Sequence, residues 1–402
     1  MTTPPDAPRP TQATAFSFDA LRRAPDVEAP DLVAVDATDR LLLDEAAAAL
    51  ATAGPGEVVV VGDRYGALTL GAVALHGATG VRVHQDELTG ELALAANAER
   101  AGLVTPSSTD ALFTQLPFTP DLVRGARVIL LQLPRSLDAL DDVAALVAAH
   151  AAPDVVLLAG GRVKHMTPAM NGVLGRHFAE LQARLARQKS RVLVATGPRR
   201  PDDDATATAG DTRWGTPARH HDADLDLVVC AYPGAFAGAR VDLGTRALAP
   251  FVERAVPDAA SAVDLGCGTG VLATLLARTH PGAQVLATDV SAAAAASAHA
   301  TAAANGVADR VTVRRDHGLA SVPDASVDLV VLNPPFHTGA AVHTGIARHL
   351  FAEAGRALRP GGELWAVWNS HLQYRPVLER LVGPTRQVHR NPTFTVTASR
   401  RA

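Results

Sequence analysis

Two stretches of this 402-residue chain follow one plan. VVVVGDRYGALTLGA, from Val58, and AVDLGCGTGVLATLL, from Ala262, each run from an apolar strand through a glycine-bearing turn into a helix. The likeness continues downstream: VRVHQDE sits like QVLATDV, RVILLQLPR like VDLVVLNPPF, and VVLLAGGRVKH like ALRPGGELWAV. Gln132 and Asn333 stand 201 positions apart, and so do Gly160 and Gly361. An offset held across two separate motifs points to internal duplication.

Within each half, β-rich apolar runs alternate with alanine-rich helical stretches, the signature of βαβ units. The expectation is an α/β chain of two tandem domains, each a mostly parallel sheet flanked by helices. PRRPDDDATATAGDTRWG, from Pro198, is a polar Pro/Asp/Gly-rich joint. The boundaries read as a disordered tail over 1–15, a first domain over 16–200, a linker over 201–223 and a second domain over 224–402.

The copies differ where chemistry would sit. Asp264 aligns with Val60, Gly268 with Arg64, and Asn333-Pro334-Pro335 with Gln132-Leu133-Pro134. Arg64 places a bulky side chain where a ligand would need to approach the backbone closely. The first half therefore reads as a fold without an active site.

DLGCGTG places Asp264, Gly266, Cys267, Gly268 and Gly270 directly after a strand and before a helix. Its GxGxG spacing differs from the GxGxxG of dinucleotide enzymes, which argues against a nicotinamide cofactor. Asp289 ends the next strand, where an acid can take both ribose hydroxyls of a nucleoside. Asp316 ends the third strand, where an acid can accept from an adenine amine. Together they describe an adenosyl pocket, and S-adenosylmethionine is the expected cofactor. Cys267 reads as a small packing residue, since no histidine or asparagine partner is placed to activate it.

LNPPFH, from Leu332, follows the fourth strand of the second half. The residue before proline is held away from the α region, so Asn333 is extended, and Pro334 fixes the next backbone angle. The Asn333 side-chain oxygen and the Pro334 carbonyl then form a rigid pair of acceptors suited to an NH₂ group. Accepting both hydrogens aims a delocalised lone pair at a methyl donor and stabilises the developing positive charge. Pro335 completes the rigid turn, Phe336 offers a face for stacking a base, and His337 is a candidate contact to a phosphate or base edge.

From Tyr232 onward the chain resembles the bacterial ribosomal RNA guanine-N2 methyltransferases with tandem methyltransferase-like domains. PGAF, VDLGTRAL, VDLGCGTGVLA, TDVS, AAANGV, LNPPFH, GGELW and NSHLQY carry the resemblance. NSHLQY, with KHMTPAMN near Lys164, is more similar to the large-subunit branch than to the small-subunit one. The resemblance implies that the Asn of NPPF contacts the target amine and that DLGCGTG with the following acid holds the cofactor. It also places Asp242, Gly244 and Thr245 over the cofactor's methionine end. Ribosomal RNA or a ribosomal subunit is the implied partner.

The formal net charge is −4, so RNA contact must use a local patch. Between Arg162 and Arg200 nine lysines and arginines face one acid, Glu180. Arg162, Lys164, Arg184, Arg187 and Arg191 are the candidate phosphate contacts, with the last three spaced for one helical face or its continuation. The two cysteines make no metal-ligand cluster and fit a reducing compartment. The N-terminus lacks the layout of a signal peptide, and no run of 18 apolar residues occurs. A monomer in the cytoplasm, with no membrane partner, is expected. The competing readings are a protein glutamine or DNA adenine methyltransferase and, outside enzymes, an RNA-binding scaffold.

Overall fold

The computed structural model describes residues 16–103, 111–200, 215–335 and 340–402. The first half contributes β1 (Val58–Val61), β2 (Val81–His84), β3 (Phe113–Gln115), β4 (Val128–Gln132), β5 (Val156–Arg162), β6 (Phe178–Ala183) and β7 (Ser190–Pro198). A short hairpin follows, β8 (Ala218–Asp222) and β9 (Leu227–Ala231). The second half contributes β10 (Ser261–Leu265), β11 (Gln284–Asp289), β12 (Val311–Arg315), β13 (Val327–Leu332), β14 (Leu358–Asn369), β15 (Thr385–Arg390) and β16 (Phe394–Arg400).

The two large sheets have the same strand order, β3-β2-β1-β4-β5-β7-β6 and β12-β11-β10-β13-β14-β16-β15. The first five strands of each are parallel, and the last two close the sheet antiparallel. Their central strands are apolar runs because helices cover both faces: VVVV of β1 and VDLVVL of β13 are buried throughout.

The ladders fix which residues correspond. Val60 pairs with Val83 and Leu130, as Asp264 pairs with Ala287 and Val331. This confirms the alignments of Val60 with Asp264, Arg64 with Gly268, and Gln132 with Asn333. It corrects the alignment of Gly160 with Gly361. Leu131 pairs with Ala159 and Leu332 with Ala366, so the counterpart of Gly160 is Val367. Gly361, at φ +84°, lies early in β14 near a register shift against β13 that the first half lacks.

Two further expectations change. Ala218–Asp222, inside the stretch read as linker, is a strand; residues 1–15 and 201–214 lie outside the described residues. Arg184, Arg187 and Arg191 share no helical face. They lie within a β6–β7 hairpin whose tip turns at Gln188 (φ +48°) and Lys189 (φ +63°).

The halves meet through equivalent residues. Leu88 N donates to Val290 O at 2.8 Å, and Ala292 N donates to Asp86 O at 2.9 Å. Glu87 and Ser291 form an antiparallel bridge between them. Each residue thus touches the other half's counterpart, an isologous contact inside one chain. Arg315 strengthens it, donating to the Gln85 and Asp86 carbonyls at 2.8 Å and pairing with Glu91 at 2.6 Å.

Candidate active site

Strand order reverses between β10 and β13, the place where open α/β sheets hold ligands. Leu265 pairs with Leu332, so Gly266 and Asn333 leave the sheet side by side at its carboxyl edge. Gly266 and Gly268 have φ of +70° and +52°, and a Cβ on either would meet nothing within 4 Å among the described residues. The turn therefore presents bare backbone to open space. Gly270 serves packing instead. A Cβ there would stand 2.8 Å from Cα and Cβ of Ala298, on the alanine-rich helix Ala292–Ala304.

Asp289 ends β11 and joins the turn to the next helix. Its Oδ2 accepts from Gly268 N and its Oδ1 from Ser291 N, both at 2.9 Å. Burial pushes its carboxyl up from the usual range. Asp316 is buried, with Oδ2 accepting from Ser321 N and Oγ. The donor set fits an adenosyl group: exposed backbone in a left-handed turn, with a carboxylate fixed beside it at the end of the adjacent strand.

Asp264 is the acid that precedes the glycine turn. It lies under the turn, 1% exposed, and its Oδ2 accepts from Ala273 N, in the first turn of the helix Val271–Thr279. Burial raises its carboxyl to about 7. The first half keeps this cap by another residue: Asp63, in the turn, accepts from Thr69 N at the equivalent helix position. Cys267 packs into the core, and burial pushes its thiol well up.

Asn333 is held by a segment 91 residues earlier. Its Nδ2 donates to Asp242 Oδ2 at 2.6 Å and to Thr245 Oγ1 at 3.1 Å. The amide orientation follows from these partners, since a carboxylate only accepts. Asn333 Oδ1 is buried and has no hydrogen-bond partner among the described residues. An orphaned buried acceptor costs on the order of 1–3 kcal/mol, and a donated NH₂ would relieve it. Pro334 is buried and Pro335 exposed. Phe336 and His337 lie outside the described residues.

The hold of Asp242 and Thr245 on Asn333 escaped the sequence reading, although a signal existed. VDATDRLL, from Val35, matches VDLGTRAL, from Val241, and each places an acid as N-cap of the helix that follows. In the first half Gln132 Nε2 donates to Asp39, the counterpart of Thr245. Gln85 takes the place of Asp289.

Of the basic residues, Arg184 faces Glu45 at 3.5 Å, and Arg187 faces Asp44 at 3.3 Å and Glu45 at 3.6 Å. Their charge is partly spent on the first half's own helix. Lys164 and Arg191 are exposed and Arg162 half-buried, with Arg162 and Arg191 on the adjacent strands β5 and β7. Among the described residues no group of three metal-ligating side chains gathers, and no helix is long and apolar enough to cross a membrane.

Two family models match separate stretches of the chain. The Methyltransferase small domain family matches residues 226–398, and the RLMG N-terminal domain family matches residues 10–199. The ribosomal RNA large subunit methyltransferase G of Streptomyces coelicolor is 38% identical over 390 residues, spanning 95% of this chain and 98% of that protein. Its namesake in Pseudomonas aeruginosa is 34% identical over 387 residues, spanning 96% and 98%. A solved T. thermophilus 16S rRNA N2 G1207 methyltransferase, in complex with AdoMet and guanosine, superposes with a TM-score of 0.71. At 22% identity, over 91% of this chain and 92% of that one, it shares the two-domain fold.

Proposed function

The chain belongs to the ribosomal RNA large subunit methyltransferase G family, and from that membership we propose that it methylates the exocyclic N2 amine of a guanine in ribosomal RNA, with S-adenosylmethionine as donor. The observation that carries this reading is the orphaned Asn333 Oδ1, fixed beside the glycine turn.

S-adenosylmethionine supplies an electrophilic methyl: the amine lone pair forms the N–C bond, the C–S pair leaves to sulfur, and the surplus proton passes to water. The chain's work is placement. Gly266 and Gly268 let the backbone approach the adenosyl group, Asp289 accepts from the ribose hydroxyls, and Asp316 accepts from the adenine amine. Asn333 Oδ1 and the Pro334 carbonyl take the two amine hydrogens, which orients the lone pair and favours the cation forming on nitrogen. Phe336 stacks on the base, an interaction of roughly 1–3 kcal/mol. No strong general base is required before attack.

The first half acts as the RNA-positioning domain, with Arg162, Lys164 and Arg191 as phosphate contacts. One chain already holds the paired domains, so a monomer working on rRNA in the cytoplasm suffices. Mass-spectrometric mapping of ribosomal RNA in a strain lacking the gene tests the reading. The expected result is loss of one N2-methylguanine, restored by wild type and not by Asn333→Ala. An unchanged modification profile refutes it.

A further inference from the structure

We infer that Asp242, Gly244 and Thr245 form a positioning clamp that holds the Asn333 amide in its one productive orientation. The inference rests on the reading of Asn333 as the residue that accepts from the target amine.

Three observations converge on one side chain. Asp242 Oδ2 receives three N–H groups: Gly244 N at 2.9 Å, Thr245 N at 3.1 Å and Asn333 Nδ2 at 2.6 Å. The first two anchor the carboxylate to its own helix terminus, so the third inherits a fixed position. Thr245 Oγ1 accepts from the same Asn333 nitrogen. Gly244 closes the third side. A Cβ there would stand 2.6 Å from Asn333 Oδ1 and 3.1 Å from its Cγ, so any larger residue pushes the amide away.

Turning the amide over would bring Oδ1 against the Asp242 carboxylate, acceptor against acceptor and at short range. The clamp therefore excludes the orientation in which Asn333 presents a donor to the substrate. An amine needs the acceptor; a carbonyl would need the donor. Asp242 and Thr245 thereby select an NH₂-bearing target without touching it. They act through Asn333 and are positioning residues.

The test compares Thr245→Val, Thr245→Ser and Asp242→Asn with wild type and Asn333→Ala in the full chain. Single-turnover methyl transfer to ribosomal RNA should fall at least tenfold in Thr245→Val and Asp242→Asn, and return to within twofold of wild type in Thr245→Ser. The rate loss should persist at saturating S-adenosylmethionine, and the melting midpoint should stay unchanged. Without cofactor, the Asn333 side-chain amide pair, assigned by its loss in Asn333→Ala, should be sharp and displaced from random coil in wild type. It should be exchange-broadened in Thr245→Val. Wild-type rates in both clamp variants, or a rate loss that saturating S-adenosylmethionine restores, overturn the inference. If wild type itself methylates no ribosomal RNA, the functional reading fails, and the amide spectra still decide the clamp.

Discussion

Asp264→Asn should stabilise the protein at alkaline pH and do so less at acid pH. The carboxyl is 1% exposed and raised from 3.8 to about 7 by burial, with the Ala273 amide and nearby Asp289 as smaller influences. A folded-state pKa above the unfolded one means that the folded protein holds the proton more tightly. Its contribution to stability is full below about pH 4 and is lost as pH rises to about 7. At 1.36 kcal/mol per unit, that loss is at most about 4 kcal/mol, of which about 2 falls between pH 5 and 7. Asparagine fills the same volume, still accepts from Ala273 N and does not titrate. The stability difference between variant and wild type should therefore grow by 2–3 kcal/mol between about pH 5 and 8, on the scale of the loss just given. Urea unfolding followed by second-half fluorescence at both pH values measures it, since Trp365 and Trp368 lie in β14. A difference independent of pH would refute the argument. Asp63→Asn should behave alike in the first half, where burial raises the counterpart carboxyl.

Two other outcomes follow from the geometry. Arg315→Ala removes the fan of bonds to Gln85, Asp86 and Glu91 and should split thermal unfolding of the two halves into resolved transitions by calorimetry; one unchanged transition would count against the interface. Lys164→Glu and Arg191→Glu should weaken ribosomal RNA binding in titrations and reduce the salt slope by about 1 per lost contact, whereas Arg184→Glu should do less because Glu45 already faces it.

Much of the fold was legible because its signals are local. Buried parallel strands need apolar runs such as VVVV, and left-handed turns into helices need glycines such as Gly66 and Gly270. The β6–β7 hairpin was not legible. Its tip uses Gln188 and Lys189 at positive φ where Asn-Gly would signal a turn, and its polar strands read as an exposed helix. The Gly160–Gly361 offset misled because β14 carries an irregularity that moves its ladder. In the site, the turn and Asn333 stood out as residue types. The direction of the Asp264 carboxylate and the grip of Asp242 on Asn333 depend on contacts across the fold, which neither periodicity nor spacing encodes.

The central claim is that Asn333 presents an acceptor to a guanine N2 amine. Purified wild type and Asn333→Ala, each incubated with unmodified ribosomal RNA and methyl-labelled S-adenosylmethionine, test it by nucleoside analysis of the product. The account predicts label in N2-methylguanosine at one site with wild type, and at least a hundredfold less with Asn333→Ala at unchanged cofactor affinity. Label in any other nucleoside, or an Asn333→Ala enzyme as fast as wild type, would contradict it.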